Sequence, residues 1–284
     1  MRSPHTTLGQ FIHLAKSGGT TIKNGLRKWA NSNDIRVSQA YMSASYYQPE
    51  VGKLRLWKHG LFQGHRGWGW SPSLAANALR VVVLREPVSR VISLFDYVKR
   101  SRSMFRRNST GLFWEDRSLD EVAAHYNHTR ETAFDSLLPA GDACEADKAF
   151  HHAIMHVLMY LAGFEYVWGP GPRAGDRVVP QRQLTELALE HVRECDVVAI
   201  FPGFETQLVP QLRLHLHWVP RDAASYFETH TEKRSSGDAS TPSAATQNLL
   251  KRWLADEEEV FAEAQRVAKS RTALAWACHG AAFS

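Results

Sequence analysis

The chain of 284 residues carries a formal net charge of +5, with 44% apolar and 22% charged residues. Such a composition buries a core and excludes a disordered chain, and the length suits one large domain spanning 1–284. A basic surplus suits an anionic partner, whether nucleotide, polyanionic glycan, nucleic acid or anionic membrane surface, and does not choose among them.

The cysteines, Cys144, Cys195 and Cys278, are odd in number and widely spaced. Without a CxxC pair they exclude a zinc ribbon and a disulfide framework, though one disulfide stays open. No run of about 18 apolar residues marks a transmembrane helix. Met1 to Gln10 lacks the apolar core of a signal peptide. Sequons at Asn108 and Asn127 are of a kind that chance supplies in many cytosolic chains, so they argue only weakly for a secretory route.

In chain order, Phe11 to Leu14 reads as a short buried strand, and Thr20 to Ala30 as a helix with Ile22, Leu26 and Trp29 on one side. Arg80 to Leu84 is the clearest strand, β-branched and unbroken, as in a parallel sheet covered on both faces. Pro87 stands where a helix begins, and Val88 to Lys99 continues it. Helical patterns follow over 146–162 and 183–194. Val197 to Phe201 is a third apolar strand, ended by Pro202 and Gly203, and 204–215 is again helical. Thr229 to Ala245 is polar and reads as a loop. Ala255 to Lys269 closes the chain as a helix, acidic first and basic last, as its dipole favours. No internal repeat is present. Strands alternating with helices predict an α/β fold, a parallel sheet flanked by helices on both faces. Ligands then sit beyond the carboxyl ends of the strands, in the loops after Leu14 and Leu84.

The first loop is Ala15-Lys16-Ser17-Gly18-Gly19-Thr20-Thr21. Its glycines allow positive φ and close backbone approach. The following helix offers unpaired N–H groups and a positive dipole end, Lys16 adds a charge, and the hydroxyls add donors. This is the chemistry of a phosphate cradle, but not a Walker A loop, because no GxxxxGK[ST] occurs. The alternative is a Gly-rich turn with a helix cap. In the second loop Arg85 ends a strand, Glu86-Pro87-Val88-Ser89-Arg90 follows, and Ser93 lies on the ensuing helix. Arg85 and Ser93 together suit a second phosphate; the alternative is an ion pair of Arg85 with Glu86 or another acid.

The two loops together resemble the nucleotide-binding pair of carbohydrate sulfotransferases that use 3′-phosphoadenosine 5′-phosphosulfate. FIHLAKSGGTT is similar to that family's 5′-phosphosulfate loop, usually with Pro before Lys, and VVVLREPVSRVISLFDY to its 3′-phosphate strand and helix, usually Arg-Asp-Pro. Ala15 and Glu86 are the departures. Lys58 to His65 resembles the segment holding the catalytic histidine in uronyl and heparan sulfate 2-O-sulfotransferases. Ala199 to Glu205 and Thr246 to Ala268 resemble later segments of the glycan sulfotransferases.

The resemblance implies a P-loop-like sheet, and in-line sulfuryl transfer to a hydroxyl of an acidic glycan, with a uronic acid 2-O position as the acceptor and no metal. A neutral hydroxyl needs a general base, and histidine titrates near neutral pH; His65 is the candidate and His59 the runner-up. Lys16 is expected beside the oxygen that leaves with the nucleotide, where charge develops. Ser17, Gly18, Gly19, Thr20 and Thr21 are expected on the 5′-phosphate, and Arg85 and Ser93 on the 3′-phosphate. Lys233, Arg234, Ser235 and Ser236 resemble a late basic segment closing over the nucleotide, with a solvated loop as the alternative. Golgi placement follows from the resemblance, through an anchor outside this chain; a full-length chain starting here is expected in the cytoplasm.

Lys99, Arg100, Arg102, Arg106 and Arg107 form a basic run, either a solvated face or a track for an acidic glycan. His152 and His156 have the i, i+4 spacing of metal ligands, but no Glu or Cys completes a set; His215 and His217 fare the same. Trp68 and Trp70 are core residues by default, with stacking on a sugar ring as the alternative. Rival functions are a P-loop kinase or nucleotide hydrolase, against which the missing GK[ST] argues, and a non-catalytic binder of nucleotide or nucleic acid. No nucleic-acid motif supports the last.

Overall fold

A computed structural model describes residues 7–12, 14–32, 36–40, 59–64, 68, 78–100, 117–133, 145–163, 180–216, 227 and 241–280. Its strands are β1 (Thr7–Ile12), β2 (Arg36–Ala40), β3 (His59–Gly64), β4 (Ala78–Arg85) and β5 (Val197–Phe201). They form one sheet in the order β2-β3-β1-β4-β5, every neighbouring pair parallel. Helices are α1 (Gly19–Asn31), α2 (Pro87–Arg100), α3 (Leu119–Ala133), α4 (Glu145–Ala162), α5 (Gln181–Glu194), α6 (Glu205–His215), α7 (Ala244–Trp253) and α8 (Ala255–Gly280). The expected α/β architecture is therefore present.

Strand alternation explains the covering of both faces. Phe11, Val81, Val83, Val197 and Ala199 point to one side, where Ile22, Leu26 and Trp29 of α1 and Leu208, Val209 and Leu212 of α6 pack on them. Ile12, Val82, Leu84 and Val198 point to the other, against Leu158 and Leu161 of α4, Leu184 and Ala188 of α5, and Val260 and Ala264 of α8. Period-2 alternation with both sets apolar leaves no face for water, which is why Arg80 to Leu84 reads as an unbroken β-branched run. A third cluster joins α2, α3, α4 and α7 through Phe95, Tyr126, Phe150 and Trp253.

Some boundaries differ from the sequence expectation. β1 runs over 7–12 rather than 11–14, because its central place between β3 and β4 recruits Leu8, Gly9 and Gln10 into both ladders. Leu14 is buried, but in the turn beyond the strand, its amide donating to the Ile12 carbonyl over 3.1 Å. β2 and β3, RVSQA and HGLFQG, were not anticipated; they are short and rich in Gly, Ser and Gln, so their pairing is set by neighbours rather than by propensity. α3 was likewise missed. Within the polar stretch 229–245, helix α7 already begins at Ala244, where Ser243 accepts the amide of Thr246 as N-cap. α8 runs past Lys269 to Gly280 through the Ala-rich TALAWAC segment, which favours helix.

At the outer edge of β5 a side chain takes the place of a further strand. Gln211 of α6 accepts from the Val198 amide over 3.0 Å and donates back to the Val198 carbonyl over 2.8 Å. Its amide also reaches Thr272 of α8 over 3.0 Å. Gln207, one turn earlier, accepts from the Ile200 amide over 3.0 Å. Among the described residues no helix is long and apolar enough to cross a membrane.

Candidate functional site

β1 is the central strand of the sheet, and its carboxyl end delivers the chain into the turn 15–18. The turn is tight for a local reason. Lys16 has φ 63° and Gly18 φ 78°, two left-handed residues within three positions. Gly18 is the N-cap of α1, and no side chain caps that helix. The first intrahelical bond runs from the Ile22 amide to the Gly18 carbonyl over 3.1 Å, and the amides at a helix start have no partner within the helix itself. The first turn of α1 carries no acidic residue. The hydroxyl of Ser17 is buried with no hydrogen-bond partner among the described residues. A helix N-terminus, its positive dipole end and the buried Ser17 hydroxyl together fit an anion.

The second loop meets the first. β4 lies beside β1 and ends at Arg85, whose Nη1 donates to the Lys16 carbonyl over 3.3 Å. The guanidinium also sits 5.2 Å from the ring centroid of Phe201, the last residue of β5, whose register partner is Arg85. Burial lowers the pKa of Arg85 from its ordinary value, with Glu86 opposing; guanidinium remains cationic throughout the accessible range. Glu86 does not pair with Arg85. Its carboxylate accepts from the amides of Val88 and Ser89 over 3.0 and 2.7 Å, capping α2 ahead of Pro87. The described contacts of Arg85 are thus a main-chain carbonyl and an aromatic ring. The departure from Asp is mild in structural terms, since either acid can cap a helix.

Ser93 is half-buried on α2. Ser89, Ser93 and Tyr97 recur at i, i+4, which puts them on one stripe of the helix. Lys16 Nζ lies 4.5 Å from the Tyr97 ring centroid, so this stripe faces the first loop. Arg90, which flanks this stripe one residue beyond Ser89, is fully buried. It forms a bidentate pair with Glu257 of α8 at 2.7 and 2.6 Å and donates to the Ala153 carbonyl of α4 over 3.0 Å. Burial pushes the Glu257 carboxyl up, and Arg90 pulls against it.

Several expected residues fall elsewhere. His59 opens β3, opposite Thr7, at the end of the sheet away from both loops. The strand spans about 17 Å, which sets the His59 backbone apart from the loop end of the sheet. His65, Lys233, Arg234, Ser235 and Ser236 lie outside the described residues, as do Trp70, Arg102, Arg106, Arg107 and His217. For Thr20 and Arg100 the helix backbone alone is described. Trp68 is no free platform for a sugar: it is buried between Arg80, 4.0 Å from its ring centroid, and His191, stacked at 4.3 Å. Lys99 donates to the Arg117 carbonyl over 2.9 Å, so the first member of the basic run ties α2 to the start of α3. His215 is exposed. Among the described residues no group of three or more metal-ligating side chains occurs. Cys195 and Cys278 are free thiols, and burial pushes Cys195 up to about 12, which leaves it inert; Cys144 lies outside the described residues.

One residue escaped sequence reasoning. His156 of α4 is buried, and its Nε2 accepts the amide of Ala15 over 3.1 Å. Its spacing from His152 suggests a metal, but its actual partner is the loop. The only sequence hint is Ala15 itself, which brings an N–H to a position where the resembling loops have Pro.

The described site thus holds cationic side chains from two loops, an uncapped helix start and a buried hydroxyl at the carboxyl ends of adjacent parallel strands. That arrangement has the chemistry to accommodate an extended anion with more than one charged group. Compared with known proteins, the chain matches no protein-family model and no curated protein.

Proposed function

We propose that the chain is a sulfotransferase acting from 3′-phosphoadenosine 5′-phosphosulfate on a hydroxyl of an acidic glycan, with a uronic acid 2-O position as the acceptor. The observation that carries this reading is the contact of Arg85 with the Lys16 carbonyl, which joins two phosphate-suited loops into one site. A single loop suits one phosphate; two joined loops suit a nucleotide phosphorylated at both ends. In this reading a P-loop-like sulfotransferase fold surrounds the site, and Golgi placement accompanies the glycan acceptor.

The co-substrate would supply an activated sulfuryl group on a phosphate leaving group. Ser17, Gly18, Gly19, Thr20 and Thr21 hold the 5′ end, and Arg85 and Ser93 the 3′-phosphate. Lys16 neutralises charge growing on the departing oxygen, where a fixed cation helps most. His65 takes the proton of the attacking hydroxyl; β3 ends at Gly64, opposite Ile12, and so delivers the chain to the loop end of the sheet. Lys233, Arg234, Ser235 and Ser236 close over the nucleotide.

Thermal denaturation with 3′-phosphoadenosine 5′-phosphate tests the reading. At about a hundred times Kd the melting temperature rises on the order of 5 °C, and labelled sulfate then passes to a desulfated glycosaminoglycan, with His65→Ala and Lys16→Ala each nearly abolishing transfer. No shift at saturating nucleotide overturns the proposal, and a shift with magnesium-ATP alone selects a kinase or hydrolase instead.

A further inference from the structure

We propose that His156 is a positioning residue of the phosphate loop, acting through the main-chain amide of Ala15; the functional part of this rests on the nucleotide-binding reading above. Ala15 immediately precedes Lys16, the one non-glycine residue with positive φ among those described. A left-handed lysine is held only where the surrounding chain over-determines it. The hydrogen bond to His156 Nε2, at 3.1 Å, is one such constraint, applied one residue upstream. His156 is itself fixed: it is 5% exposed, and its ring lies 4.2 Å from that of Tyr160. Accepting an N–H at Nε2 requires a lone pair there, so the ring proton of the neutral imidazole sits on Nδ1.

The same helix also holds the second loop. Ala153 lies three residues before His156, on the same face of α4, and its carbonyl accepts from Arg90 Nη2 over 3.0 Å. Arg90 belongs to the segment that follows Arg85. One face of α4 therefore contacts both loops, the first through a side-chain acceptor and the second through a main-chain acceptor. Fixing both to one helix sets the distance between the two anion-binding segments before any ligand arrives. Preorganisation of this kind raises affinity by lowering the ordering cost of binding.

The test compares His156→Leu, His156→Gln and the double variant Ala15→Pro/His156→Leu with the wild type. Leu removes the acceptor, Gln keeps one at similar reach, and Pro deletes the donor. One readout is hydrogen exchange at the Ala15 amide in the ligand-free protein, in every variant that keeps the amide. The other is affinity for 3′-phosphoadenosine 5′-phosphate. In His156→Leu, Ala15 exchanges faster and affinity falls about tenfold, as loss of one buried hydrogen bond implies; His156→Gln restores both, and the double variant restores affinity. Unchanged exchange and affinity in His156→Leu overturn the proposal. So does equal loss in the Leu and Gln variants with no recovery in the double variant, which would make His156 a packing residue. If the wild type fails to bind the nucleotide, the sulfotransferase reading falls, and exchange at Ala15 alone decides the hold on the loop.

Discussion

The ring of Phe201 lies beneath Gly18: a Cβ at that glycine would stand 2.7 Å from Phe201 Cδ2. Gly18 also has φ 78°, a conformation that costs an L-residue about 1–2 kcal/mol. Gly18→Ala therefore displaces the ring and strains the cap of α1 together. We expect a stability loss exceeding the roughly 1–2 kcal/mol of the strain alone and at least a tenfold loss of nucleotide affinity, measured by denaturant titration and calorimetry. Adding Phe201→Ala removes the clash and leaves the strain, so only part of the loss returns.

Lys16→Gly separates stability from function. The side chain sits on a left-handed residue, where glycine relieves strain. Folding stability is expected to stay level or rise by up to about 1 kcal/mol, while nucleotide binding falls with the lost charge. Urea midpoints and titration on one preparation check both; a marked drop in stability contradicts the strain assignment.

The buried pair of Arg90 and Glu257 predicts a non-additive cycle. Arg90→Met strands a carboxylate, and Glu257→Leu strands a guanidinium, each costing about 3–5 kcal/mol. The double variant is expected to recover most of that loss, since no uncompensated charge remains. Chemical denaturation of the four proteins measures the coupling.

Acid sensitivity has a local source in Glu263. Hydrogen bonds from Arg266 and then Arg193 lower its carboxyl to about 2, below the unfolded value of about 4.3. A depressed folded pKa gives stability that is present above the unfolded value and lost as pH falls through the folded one. Between pH 5 and pH 2 the wild type should therefore lose stability more steeply than Glu263→Gln. Both arginines are more than half exposed, so 1 M salt should narrow the difference. Melting curves across that pH range in low and high salt provide the measurement.

Apolar runs and periods made β4, β5 and α1 legible in the sequence, because core burial on both faces writes itself into residue type; α8 was legible as far as Lys269 from its acidic-to-basic charge order. β2 and β3 left no such trace: Ser38, Gln39 and Gly60 say nothing about strand until neighbours supply the ladder. The loop chemistry was legible at Lys16, Gly18 and Arg85, whose residue types are special wherever they occur. The partners of those groups were not. That Arg85 would choose the Lys16 carbonyl over Glu86 depends on Glu86 turning to cap α2. That His156 would serve Ala15 depends on a contact across 141 positions, which no local pattern encodes.

Gln211 has a consequence beyond the core it sits in. Its carboxamide gives Val198 both hydrogen bonds that an adjoining strand would offer, so the sheet is finite on the β5 side. An extended peptide or a second copy of the chain finds that rung already occupied, and β-augmentation there must first evict a buried amide that α8 also holds. The molecule is thus shielded from runaway edge-to-edge growth along the strand whose last residue, Phe201, meets Arg85 and Gly18.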